Sequence, residues 1–295
     1  MLDFSPTVSG VYFKNPILLA SGTASFGIEL TKLYDVSIVG GIVLKTITLE
    51  ERVGNEPPRI VECSGGMLNS IGLANPGLRK FKEEILPEVV RSVSTNIIVS
   101  VAGESVGEFR EIVEEVSTLE GVSVIELNLS CPNVEEGGIT FDSKEGNVRE
   151  VVRIVRKVSK KPFWVKLSPN VPDIVRNAVI SQEEGADGIT AINTILGMKI
   201  DPESGKPVFK NIFAGYSGPC IKPIALRYVY EICRKVSIPV IGVGGVSSYE
   251  DVLEFMWAGA KLVQIGTSNF VDPTLPETII EKIREFEDSL SHGET

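Results

Sequence analysis

Cys131 stands in the stretch NLSCPNVEEGG, residues 128–138, between Asn128 and Asn133 and just ahead of the glycine pair Gly137-Gly138. A thiol in such a loop can act as a nucleophile or, once ionised, accept a proton. The chain has a single histidine, His292, in the polar C-terminal stretch SLSHGET, and chain ends are seldom tied down. Ser-His and Cys-His nucleophile pairs and His-ligated metal sites therefore lack their usual base or ligand. Cys131 is left as the candidate general base, and an ordinary thiol pKa of about 8.5 predicts activity that rises into alkaline pH. Cys63, Cys220 and Cys233 lie far apart and form no C-x-x-C, so no metal site or self-contained iron–sulfur cluster is expected. They read as buried small hydrophobes.

Four asparagines, Asn69, Asn128, Asn133 and Asn193, offer uncharged donors and acceptors that suit a flat ligand edged with N–H and C=O groups, such as a pyrimidine. Asn133, following Pro132, also suits a turn. Lys45 in VLKT and Lys166 in WVKLS end apolar runs. Each must either meet an anion or acceptor or lie along a rim with its ammonium in water. Beside the pyrimidine part of a flavin, a lysine stabilises the negative charge gained on reduction. The stretches GVGGVSSYE and IGTSNF suit a phosphate held by backbone N–H groups, which glycine lets approach closely. Tight turns alone would also use these glycines, and GVGGVS is no dinucleotide fingerprint, because Ser247 stands where the third glycine belongs.

These residues need a scaffold that brings them together. Eight short apolar runs, PILLAS, GIVLKT, NIIVSVAG, VSVIELN, FWVKLS, GITAIN, IPVIGVGG and LVQIGT, alternate with amphipathic segments such as NVREVVRIVRKVS. Near-continuous apolar strands between helices imply a parallel sheet buried on both faces. Eight units predict an α/β (β/α)8 TIM barrel occupying residues 1–295 as one domain, with the site where the strands end. A doubly wound sheet could also hold eight strands, but the glycine loops after the seventh and eighth runs favour the barrel. Residues 48–77 and 195–220 exceed ordinary loop length, so they predict small antiparallel elements over the barrel mouth. The 29 Lys and Arg against 39 Asp and Glu give a net charge of −10, which disfavours nucleic acid. No signal-like N-terminus or long apolar run is evident, so a cytoplasmic protein without membrane attachment is expected.

The motifs NPILLASGTASFG, LKTITLEERVGNEPPRI, GGMLNSIGLANPG, ELNLSCPNVEEGG, WVKLSPNV, INTILGMKID, SGPCIKPIALR, IPVIGVGGV and VQIGTSNF together resemble the class 1 dihydroorotate dehydrogenases, most closely the class 1B catalytic subunit. The resemblance spans nearly the whole chain. It implies an FMN-binding (β/α)8 barrel that oxidises dihydroorotate to orotate, with Cys131 matching the family's base; class 2 enzymes carry serine there. It implies substrate contacts from Lys45, Met67, Leu68, Asn69, Ser70, Ile71, Gly72, Leu73, Asn128, Asn133, Asn193 and Thr194. For FMN it implies Ala20, Ser21, Gly22, Lys45, Thr46, Ser100, Asn128, Lys166, Ile192, Ser217, Gly218, Gly244, Gly245, Gly266 and Thr267, with no metal on this chain. At the third strand the family usually has asparagine in NVAG where this chain has Ser100, which implies either a water-bridged flavin hydrogen bond or a flavin held less tightly there. Class 1B further implies a homodimer within a heterotetramer, the partner subunit carrying FAD and a [2Fe-2S] cluster and passing electrons usually to NAD. Class 1A, which reduces fumarate without a partner, is the nearest rival, and GNEPPRIVECSGGMLN leans away from it. Other readings are a flavin barrel acting on another pyrimidine, a phosphate-binding barrel without redox chemistry, and a silent scaffold for a partner.

Overall fold

The computed structural model describes residues 2–130, 132–133 and 139–292, with backbone alone for 132, 133, 139, 291 and 292. Eight strands, Ile17–Leu19, Gly41–Val43, Asn96–Val101, Val122–Asn128, Phe163–Leu167, Gly188–Ala191, Val240–Val243 and Leu262–Ile265, pair in parallel in chain order, and the eighth closes on the first. These are the eight apolar runs read from sequence, and the architecture is the (β/α)8 barrel. Nearly every strand residue is buried, because the outer face lies under helices and the inner face fills the barrel. The helix Glu145–Val158 illustrates the outer layer: Val148, Val151, Val152 and Val155 are buried, the spacing of a single helical face. Helix Tyr249–Trp257 starts from a capping box in which Ser248 and Asp251 satisfy each other's backbone N–H groups.

Side chains alternate along each strand, which stacks the barrel interior in layers of differing chemistry. Leu18, Val43, Ile98, Val124, Trp164, Ile241 and Leu262 form one apolar cluster with Val8 and Phe13. Val8 belongs to the hairpin Thr7–Val8 and Val11–Tyr12, which plugs the N-terminal end. Trp164 Nε1 donates to Ser9 Oγ at 3.0 Å, and Gly188 gives the indole room, since a Cβ there would stand 2.5 Å from Trp164 Cδ1. Two residues further along come Ala20, Lys45, Ser100, Glu126, Lys166, Val243 and Gln264, five of the seven polar. The interior therefore changes from hydrocarbon to polar within one layer.

The two long segments meet as a four-stranded antiparallel sheet in the order Ile195–Met198, Phe213–Ser217, Gly66–Asn69, Ile60–Cys63. Leu68, Phe209 and Ala214 form a small core against it. As expected from their length, both segments build antiparallel structure over the mouth.

Candidate active site

Strand ends and overlying sheet enclose a cavity of about 710 Å³, within the range of small-molecule sites. One half is backbone and small residues: Ala20, Ser21, Gly22, Ile192, Gly244, Gly245, Gly266 and Thr267. Gly245 has φ +79, and a Cβ there would stand 2.7 Å from the Lys222 nitrogen and 2.9 Å from the Gly218 oxygen. Only glycine fits this crossing, which leaves the backbone bare toward the cavity. Thr267 Oγ1 donates to Ser217 Oγ at 2.8 Å.

The other half is amide-rich. Asn193 Nδ2 donates to Asn128 Oδ1 at 3.2 Å and to Ser130 Oγ at 3.0 Å, while its own Oδ1 accepts from the Thr194 N–H at 2.8 Å. Asn69 Nδ2 donates to the Gly215 carbonyl at 3.1 Å, so its Oδ1 remains to meet a ligand. Lys45 lies at the cavity wall, half-buried. Burial first, and then the charge of Arg59, hold its ammonium below the usual lysine range. Arg59 is itself fixed by donating to the carbonyls of Asn55 at 2.5 Å and Val53 at 3.0 Å. A second buried cation, Lys166, lines the cavity between the two halves. Behind it Lys166 Nζ approaches Glu126 Oε1 at 3.5 Å.

Most of the residues singled out in the sequence converge here: Lys45, Met67, Asn69, Ser70, Ile71, Gly72, Leu73, Thr46, Asn128, Lys166, Asn193, Thr194 and Ser217 line the same cavity, together with the backbone half already described. Three do not line it. Leu68 turns into the small core with Phe209, on the face of its strand opposite Asn69, because neighbouring strand residues face opposite sides. Gly218 sits behind Gly245, where a Cβ of its own would stand 2.6 Å from Gly66 Cα. Ser100 lies one step deeper, with its Oγ 2.8 Å from Thr46 Oγ1, which in turn stands 3.2 Å from Ser21 Oγ. A chain of hydroxyls thus connects Ser100 to the cavity wall. Cys131 and the Asn133 side chain lie outside the described residues.

Sequence reading missed Glu126, counted as part of the apolar run VSVIELN, though a carboxylate inside that run was the signal. It also missed Ser130 and Arg59. The expectation that Cys63, Cys220 and Cys233 are buried needs correction: Cys220 is exposed and the other two are half-buried. Burial pushes the Cys233 thiol up to about 11. Cys220 and Cys63 meet at the Tyr216 hydroxyl, which hydrogen bonding to Cys220 and partial burial push up to about 12.

The family model for dihydroorotate dehydrogenase matches residues 4–286. Among curated relatives, the "Dihydroorotate dehydrogenase B (NAD(+)), catalytic subunit" of Geobacillus kaustophilus is 49% identical over 284 residues, covering 96% of this chain and 90% of the relative. The protein of the same description from Petrotoga mobilis is 47% identical, covering 97% of this chain and 95% of the relative. That from Parabacteroides distasonis is 45% identical, with 99% and 95% covered. With the match running through every barrel strand and both segments that roof the cavity, the chain belongs to the dihydroorotate dehydrogenase family.

Proposed function

We propose that this chain oxidises (S)-dihydroorotate to orotate in pyrimidine biosynthesis, as the FMN-bearing catalytic subunit of a B-type enzyme in the cytoplasm. The carrying observation is that two lysines and a set of uncharged amides share one cavity with a bare glycine backbone. The glycine half, with Ser21, Thr46 and Thr267, fits the phosphate and ribityl part of FMN, since backbone N–H groups bind phosphate without a side chain in the way. Lys166 fits the pyrimidine edge of the ring system, where an ammonium offsets negative charge. FMN, when bound, supplies the acceptor for the hydride that leaves carbon 6 of the substrate.

The chain's own residues do the rest. Asn69, Asn128, Asn193 and Thr194 present amide and hydroxyl groups that pair with the N–H and C=O edges of dihydroorotate and hold its ring flat in one orientation. Lys45 offsets the substrate carboxylate, and the charge of Arg59 nearby adds to the same field. Cys131, as thiolate, takes the proton from carbon 5. Asn133 belongs to the same substrate set. Electrons then pass to a partner subunit carrying FAD and a [2Fe-2S] cluster, the catalytic chains forming a homodimer at the centre of a heterotetramer. No described helix is long and apolar enough to cross a membrane.

The test is an anaerobic absorption spectrum of the pure protein before and after dihydroorotate. Bleaching of a flavin band by dihydroorotate is the expected result. A band that persists moves the substrate elsewhere, and no band after FMN is supplied removes the flavin.

A further inference from the structure

Glu126 is the one buried glutamate among the described residues, fully enclosed inside the barrel, and it does not line the cavity. Its Oε2 accepts from Thr190 Oγ1 and from Gln264 Nε2, both at 2.9 Å. Its Oε1 has no hydrogen bond among the described residues and faces Lys166 Nζ at 3.5 Å. Pairing of the fourth and fifth strands registers Lys166 with Asn128 and Glu126 with Trp164, and of the two charged residues Lys166 alone lines the cavity. Seen from the cavity, the carboxylate is therefore behind the ammonium.

Such a pair is a poor device for stability. Desolvating two charges costs about as much as their attraction returns, and apolar residues of equal volume often serve as well or better. Thr190 and Gln264 add to this, because they hold Oε2 and so limit how closely the carboxylate closes on the lysine. Of these three partners of Glu126, Lys166 alone lines the cavity.

We propose that Glu126 is a positioning residue that fixes the Lys166 ammonium at the cavity floor and partly neutralises it, lowering the readiness of bound FMN to take up negative charge. The proposal rests on the FMN reading above. A bare ammonium beside the flavin would favour the reduced form strongly; a carboxylate behind it weakens that preference, which helps electrons leave toward the next carrier. Thr190 and Gln264 set the degree by their grip on Oε2.

The experiment is the flavin midpoint potential of the holoenzyme. Glu126→Gln removes the charge and keeps the shape, so the ratio of reduced to oxidised flavin at a fixed potential should rise at least tenfold, a positive shift of about 30 mV for a two-electron couple. Thr190→Val should act in the opposite direction, because the freed carboxylate closes on Lys166; it keeps the proposal testable if Glu126→Gln does not fold. In a Lys166→Met background the Glu126→Gln shift should shrink to less than half. A midpoint unmoved by Glu126→Gln, or the same shift with and without Lys166, overturns the proposal. If the wild-type chain retains no FMN, the cofactor reading has failed separately, and the pair is read in thermal unfolding of the flavin-free chain. There Glu126→Gln should lower Tm and the double variant with Lys166→Met should restore it, whereas additive losses overturn the pairing.

Discussion

The two ends of the barrel interior are built on the same eight strands and obey opposite rules. At the N-terminal end Phe13, Trp164 and their neighbours fill the space with hydrocarbon. One layer higher the same strands carry Ser100, Glu126, Lys166 and Gln264, and above these the space opens. Close-packed apolar layers give stability and tolerate little change in volume, whereas buried charges and amides give little stability and dictate what binds. Substitutions at the two ends should therefore separate rate from stability.

The largest effect belongs to the mouth. Cys131→Ser should leave flavin content unchanged and slow flavin reduction by dihydroorotate by roughly 10²–10⁴-fold, the usual worth of a general base, measured by anaerobic stopped-flow. Unchanged reduction kinetics would remove Cys131 from the mechanism. At the opposite end, Trp164→Ala should destabilise by about 3–5 kcal/mol, as large-to-small core changes do, read in denaturant unfolding. The kcat of the protein that remains folded should stay near wild type. A large loss of kcat with unchanged stability would show that the two ends are not independent.

This contrast also explains what the sequence made legible. The strands were readable because short apolar runs recur between helical faces, and the long segments because nothing else would occupy the 30 residues of 48–77 and the 26 of 195–220. Residues such as Asn128 and Lys166 were readable because a polar group that ends an apolar run needs a partner. Glu126 was not, because a single carboxylate inside a strand declares its direction only once register is known, and its partners Thr190 and Gln264 lie 64 and 138 residues away. Leu68 and Asn69 are neighbours with opposite fates, and only pairing with Phe213–Ser217 decides which faces the cavity. Arg59 acts on Lys45 through space, with no sequence periodicity linking them.

Lys45 sharpens the comparison, since one residue bears both costs. Its folded pKa lies below the unfolded value of about 10.4. Between those two values the unfolded chain binds more protons, so wild-type stability should rise with pH through that window. Lys45→Met should abolish the rise and raise Tm at neutral pH, because a half-buried ammonium is replaced by an apolar chain of similar length. The same variant should raise KM for dihydroorotate by about 10-fold or more, as loss of a charged partner costs about 1.5–3 kcal/mol. A Tm that falls would mean that Lys45 is held by compensating contacts and is part of the stable scaffold.

Ser100 stands on the boundary between the two regimes and should show the smallest effect. Among the described residues its hydroxyl reaches the cavity through Thr46, which lines the wall beside Ser21, so Ser100→Ala removes one link in a chain of hydroxyls and exposes no charge. A net hydrogen bond is worth about 1 kcal/mol, which sets the expected loss of FMN affinity at about 5-fold, measured by flavin release during dilution. Thr46→Val interrupts the chain at the wall itself and should cost more than Ser100→Ala. If Ser100→Ala costs as much as Thr46→Val, or more, then Ser100 meets the flavin directly, and the polar layer begins one residue deeper in the barrel than the cavity wall indicates.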